Sequence, residues 1–254
     1  MVFLAPKINP LGRFSISKYL VISSILKQYH ASGTRTVISV ALFLIAGFNC
    51  AHGSSLQFWN SDAFYARLSN KLSLQGGAEF RYNKNKSKLF YKHYQSGLQF
   101  ALSKNTSTFL GFRYILTSNK EKWKATSSPL ADLSFRGKLT RSMSFVNRNR
   151  LQYLINIPQS KILSIRSNLF LYRNRIELQF IDPNTKPHVF SFLADEVFFR
   201  QLNGFDQNRL EVGLKMVHNK STLLTFAYIY QSIKNFSKEW NYNNIIRFDY
   251  LLRF

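Results

Sequence analysis

The residues with the most chemical potential are arginines and carboxylates set two positions apart. Glu79 and Arg81 open the series, followed by Asp132, Arg136 and Lys138, then Arg148 and Arg150. Arg173, Arg175 and Glu177 come next, then Asp195 or its neighbour Glu196, then Arg209 and Glu211, and finally Arg247, Asp249 and Arg253. A spacing of two puts side chains on one face of a β-strand, where guanidinium forks bind carboxylates of adjacent strands. Two roles fit such a face. The charges can form a polar ladder that fills and rigidifies a small lumen, or an excess of cations can bias a narrow pore toward anions.

Enzymatic patterns are thin. His93, His188 and His218 have no Ser/Asp partners that spacing identifies. The chain also lacks a Gly-rich phosphate loop, an HExxH motif and a Cys/His metal pattern, so no cofactor or metal is implied. The expectation is a protein that is not an enzyme, with a barrel lipid hydrolase or acyltransferase as the enzymatic alternative.

The elements that must carry these charges show best at the end of the chain. From Trp240 to Phe254, one alternate set reads Trp240, Tyr242, Asn244, Ile246, Phe248, Tyr250, Leu252 and Phe254; the other carries Arg247, Asp249 and Arg253. That is the period of a half-apolar strand. A closing strand with Phe248, Tyr250, Leu252 and a terminal Phe254 on one face looks like the signal that the barrel-assembly machinery of bacterial outer membranes reads. The same dyad recurs in eleven runs. Phe64–Ser69, Leu72–Tyr82, Leu89–Leu102, Thr106–Leu116, Asp132–Leu139 and Met143–Ile155 are the first six. Leu169–Phe180, Val189–Phe199, Arg209–His218, Thr222–Ser232 and the closing strand complete them. Their lengths suit tilted transmembrane strands. Arg or Lys on the lipid side costs about 2–4 kcal/mol near the midplane, so the charged face must point inward.

The expected fold is therefore all-β: a single-chain antiparallel transmembrane β-barrel over residues 54–254. Because such barrels have even strand numbers when both termini lie in the periplasm, twelve strands are expected, with ten as the alternative. The missing strand would lie in Leu56–Asn60 or within Lys161–Phe180. Short turns at Asn70-Lys71, Lys104-Asn105, Thr140–Ser142 and Asn219-Lys220 are expected on the periplasmic side. Longer segments, Asn83–Lys88, Thr117–Ser128 and Ile233–Lys238, are expected outside. Their Lys84, Lys86, Lys88, Lys120, Lys122 and Lys124 either meet lipopolysaccharide phosphates or are simply solvated, and the alternative function is a lipopolysaccharide-binding or adhesive barrel that uses these loops.

Composition agrees with this class. The 254 residues include 24 Phe and 13 Tyr but one Cys, and the net charge is +23. Aromatic enrichment with few Gly and Pro suits strands, and a single Cys excludes an intramolecular disulfide framework. The mean hydropathy is slightly negative, too polar for a helical membrane bundle and ordinary for a barrel. The charge raises a nucleic-acid alternative, but the basic residues are dispersed and no zinc-finger or helix-turn-helix pattern accompanies them. No nucleic-acid partner is expected. The expected partners are outer-membrane lipid, lipopolysaccharide and the assembly machinery, around a monomer.

Residues 1–53 read as a secretory signal peptide. They carry Lys7, Arg13, Lys18, Lys27 and Arg35 without an acidic residue, then the apolar run Val37–Phe48, then Ala51-His52-Gly53. Cleavage after Gly53 is expected. The basic segment is unusually long, which also fits an assigned start upstream of the real one. Cys50 raises a lipoprotein alternative, but Phe48-Asn49 stand where a lipobox has small residues.

Four segments occur in order: Val146-Asn-Arg-Asn-Arg-Leu-Gln152, Tyr172-Arg-Asn-Arg-Ile-Glu177, Ala194-Asp-Glu-Val-Phe198 and Asp206-Gln-Asn-Arg-Leu210. This series resembles domain-of-unknown-function family 2490, predicted outer-membrane barrels with R-x-R, D-E-x-F and D-Q-N-R motifs. The likeness runs over roughly Phe58–Phe254, and Gln152 stands where the family pattern has Glu. The resemblance implies a fold and a location, with no established activity or catalytic residues to carry over.

Overall fold

The computed structural model describes residues 55–83, 88–119, 122–156, 169–181, 188–201, 203–219, 221–235 and 238–254. The proposed signal peptide, Cys50, Lys84, Lys86 and Lys120 lie outside these residues.

Eleven β-strands form among the described residues: β1 (Ser55–Arg67), β2 (Leu72–Asn83), β3 (Lys88–Ala101), β4 (Thr106–Asn119), β5 (Lys122–Lys138), β6 (Met143–Asn156), β7 (Leu169–Ile181), β8 (His188–Arg200), β9 (Gly204–Asn219), β10 (Thr222–Lys234) and β11 (Trp240–Arg253). Consecutive strands pair antiparallel, and β1 pairs β11 in parallel to close the barrel. Each run with a dyad pattern becomes one strand.

The count differs from the expected twelve or ten. Leu56–Asn60 belongs to β1 itself, so that stretch is not a separate strand. An odd ring of antiparallel neighbours forces its first and last strands to run the same way, and the parallel seam is the result. Backbone hydrogen bonds extend that seam to the last residue: Phe254 N–H donates to Tyr65 O at 2.8 Å, and Arg67 N–H donates to Phe254 O at 3.1 Å. β1 therefore starts at the end opposite the one where β11 finishes.

The expected loop Thr117–Ser128 is also corrected. β4 continues to Asn119 and β5 starts at Lys122, with Ser118 opposite Trp123 and Thr117 opposite Lys124. Lys122 and Lys124 alternate with Trp123 and Ala125, so the dyad simply continues through the lysines. They stand on a strand, and Lys88 opens β3. Pro129 leaves a trace: the β5–β6 register skips Ser128 and Pro129, while Phe112 of β4 still faces Pro129. Proline has no N–H to give a ladder.

The barrel is inverted relative to a soluble one. Phe58, Leu110, Phe112, Ile176, Phe226 and Phe248 are exposed on the outside. Gln152, Glu196, Glu211 and Arg150 are buried inside. An aromatic series rims the outside at the end opposite the chain terminus. Tyr172 lies 6.2 Å from Phe199, Phe199 5.7 Å from Phe205, and Phe205 5.5 Å from Trp240, centroid to centroid. Apolar clusters inside are small: Trp59 with Ile229 and Ile245, and Phe192 with Ala194 and Ala227. Gly97 faces Gly111 across β3 and β4, and a Cβ at Gly111 would stand 2.5 Å from the Phe109 ring. Glycine there is what lets the inward Phe109 lie against the wall.

Candidate functional site

Strand register brings the spaced charges into one interior network. Arg150 on β6 grips Asp132 on β5 with a two-pronged fork, Nε to Oδ1 and Nη2 to Oδ2, both 2.6 Å. Glu196 on β8 gathers three cations: Arg148 Nη2 at 2.9 Å, Arg173 Nη2 at 2.8 Å and Arg209 Nη1 at 3.4 Å. Arg175 bridges Glu177 at 2.8 Å and Glu211 at 2.5 Å, Lys215 pairs with Glu177, and Arg247 pairs with Glu211 and, at 3.0 Å, with Asp249. Arg81 Nε donates to Glu79 Oε1 at 2.5 Å. Buried carboxylates that each meet one or more guanidiniums avoid the large penalty of an unpaired charge.

Gln152 is bound into this network. Its Oε1 accepts from Arg173 Nη1 at 3.2 Å, and its Nε2 donates to Ser128 Oγ at 3.3 Å. The amide satisfies the guanidinium without cancelling its charge.

A second motif is aromatic. The Arg81 guanidinium carbon sits 3.7 Å from the Trp59 ring centroid and 4.0 Å from that of Tyr91. Arg209 sits 4.8 Å from Trp59 and 4.6 Å from Phe198, and Arg173 lies 4.6 Å from Phe198 as well. Tyr91, Arg81, Trp59, Arg209, Phe198 and Arg173 therefore form an alternating ring-and-cation series from β3 to β7 through the interior. Cation–π contacts hold like charges close while leaving them charged.

Beside this series lies a cavity of about 450 Å³, bordered by Ala63, Gly77, His93, Gln95, Arg113 and several network arginines. Arg113 is buried, and both its Nε and Nη2 donate to Gln95 Oε1, at 3.1 and 2.5 Å. Among the described residues it has no carboxylate partner. His93 Nδ1 lies 3.9 Å from Glu79 Oε1, making it part of the wall. Nearer the chain terminus, a second recess is lined by Arg136, Lys138, Arg141 and Arg253, and it shares Lys215 and Leu223 with the first.

Most predicted charges thus meet, with two corrections. Asp195 faces outward and accepts from Asn208 Nδ2 at 2.6 Å; Glu196 is the interior carboxylate. In a period-two element only one of two adjacent acids can face in, and Glu196 holds the interior phase. Arg136 faces inward but is exposed at the terminal mouth, away from the paired network. Phe248, Tyr250 and Leu252 share the outer face of β11, with Phe254 just beyond it. Arg113 and Lys215 were missed because they have no opposite charge two residues away, and Trp59 because the cations that flank it, Arg81 and Arg209, lie on other strands.

The strands define a closed β-barrel, polar within and apolar without. Residues 56–243 match the family model described as "Protein of unknown function (DUF2490)", and the chain belongs to that family. Among solved structures, it resembles a bacterial polysaccharide outer membrane secretin, with TM-score 0.47 and 8% identity over 70% of this chain and 63% of that one. The chain thus spans under two thirds of the secretin's length. The NanC porin matches with TM-score 0.42 and 10% identity over 74% of this chain and 94% of that one. The siderophore receptor PirA from Pseudomonas aeruginosa matches with TM-score 0.27 and 11% identity over 70% of this chain and 34% of that one. No curated protein sequence matches the chain.

Proposed function

We propose that this chain is a bacterial outer-membrane barrel whose lumen is a narrow, anion-leaning passage. The observation that carries this reading is the interior charge balance beside the cavity. Arginines outnumber the carboxylates that hold them, and among the described residues buried Arg113 has only an amide for a partner. A low-dielectric, cation-lined constriction favours small anions over cations. The exposed outer apolar face supports a lipid surrounding, and the aromatic face of β11 supports delivery by the barrel-assembly machinery. Lipopolysaccharide is the expected outer-leaflet neighbour.

A structural role is favoured by a different observation. Phe192, Ile229 and Ile245 are sealed from solvent, and the ring-and-cation series crosses the same interior. Planar-bilayer recording under a KCl gradient separates the two. The passage predicts small conductance with an anion-selective reversal potential that moves toward zero in Arg113→Gln. A folded barrel with no conductance would leave the structural role.

A further inference from the structure

The family motifs have a second, outward side. In N-R-N-R, R-N-R, D-E and N-R, the residues alternating with the lumen charges are Asn147, Asn149, Asn174, Asp195 and Asn208. Register places all five in two adjacent outward rows across β6–β9. Asn147, Ile176, Asp195 and Leu210 form one row; Asn149, Asn174, Val197 and Asn208 form the next. The two rows are flanked on one side by Leu151 with Tyr172 and Phe199 of the aromatic rim, and on the other by Phe145, Leu178 and Leu193 toward the terminal end. A polar stripe containing a carboxylate therefore lies inside the apolar outer band.

The stripe satisfies itself only in part. Asn149 Oδ1 accepts from Tyr172 Oη at 2.7 Å and Asn174 Nδ2 at 2.9 Å, Asn149 Nδ2 donates to Asn147 Oδ1 at 2.8 Å, and Asn208 Nδ2 donates to Asp195 Oδ1 at 2.6 Å. Among the described residues, Asp195 Oδ2 and the Oδ1 atoms of Asn174 and Asn208 accept nothing, and Asn147 Nδ2 donates nothing. Acyl chains offer no hydrogen bonds, so each leftover group is penalised in hydrocarbon.

We propose that this stripe is the contact surface for a second copy of the chain, forming a two-fold dimer in the membrane. The hydrogen-bonding complement argues for a copy. The stripe has spare acceptors at Asp195, Asn174 and Asn208 and spare amide donors at Asn147 and its neighbours, so a two-fold contact supplies each from the other. Leu151, Ile176, Leu193 and Leu210 are exposed around it and provide apolar packing. This departs from the monomer expected from sequence, and it rests on the outer-membrane reading above.

The test is native mass spectrometry of the full chain extracted from outer membranes into lipid nanodiscs. Disulfide trapping accompanies it, from Cys placed singly at 147, 149, 174, 195 and 208 in a Cys50→Ser background. The expected result is twice the chain mass, with self-cross-linking at one or more stripe positions. The combined variant Asp195→Leu with Asn174→Leu should lose at least tenfold of the dimer, while Asp195→Asn, which keeps an acceptor, retains it. Heat-modifiable gel mobility is followed on every sample. A wild-type chain that is folded and in the outer membrane but monomeric overturns the dimer and leaves the barrel reading intact. Cross-links only to another protein overturn it too. Absence of the chain from outer membranes overturns both.

Discussion

Arg81 sits over Trp59, its guanidinium carbon 3.7 Å from the ring centroid, while Arg209 approaches the same ring from β9 at 4.8 Å. One aromatic side chain on β1 thus links cations from two distant stretches of sequence across the seam that closes the barrel. Trp59 is itself buried against Ile229 and Ile245. It both fills part of the lumen and holds two charges there.

Removing that ring should widen the passage and weaken the barrel together. Trp59→Ala is expected to raise single-channel conductance, and to destabilise by about 3–5 kcal/mol as a large-to-small core change. Bilayer recording and urea unfolding of vesicle-inserted protein check the two halves.

Arg175 on β7 reaches over β8 to Glu211 on β9, and Ala194 is the β8 residue in register with Glu211. Glu211→Ala would leave Arg175 and Arg247 each short of a carboxylate in a buried site. The expected loss is about 3–5 kcal/mol. Arg175→Met combined with Glu211→Leu should cost less than Glu211→Ala, because the Arg175 charge is removed together with one of the two carboxylates that hold it. Unfolding midpoints of the three proteins test the ordering.

Gln152 offers a change in charge with little change in shape. Gln152→Glu places a carboxylate where Oε1 now accepts from Arg173. It should keep the fold and reduce anion preference, read as a reversal potential closer to zero under a KCl gradient.

Arg113 is the complementary case. Its guanidinium is bound by Gln95 alone among the described residues, so Arg113→Gln removes a charge that no carboxylate offsets. Anion preference should fall at least as far in Arg81→Gln, where the freed Glu79 carboxylate adds an unpaired negative charge to the lumen. The ratio of anion to cation permeability in the two variants is the measurement.

The strands were legible because period-two alternation is local: apart from β5, which starts at Lys122 rather than Asp132, every run from Leu72–Tyr82 to the closing strand became a strand with ends within a few residues. The β4–β5 hairpin was misread because lysines at 122 and 124 look like a loop, although they continue the dyad with Trp123. Strand parity was not legible, since the parallel pairing of Phe58 with Ile246 is a property of ring closure. In the site, in-strand pairs such as Glu79 with Arg81 were visible, whereas Glu196 collecting Arg148, Arg173 and Arg209 depends on three strands meeting. Asp195 and Glu196 are adjacent acids, and only the phase of β8 decides which one faces in.

The central claim, a lipid-embedded barrel delivered to the outer membrane, is tested most directly by fractionation with heat-modifiable gel mobility on wild type and a Phe254 deletion. The barrel predicts outer-membrane recovery with a fold-dependent mobility shift, and a sharp drop in both when Phe254 is removed. Recovery in the soluble or inner-membrane fraction with no shift would contradict it, and a basic nucleic-acid binder would become the reading to pursue.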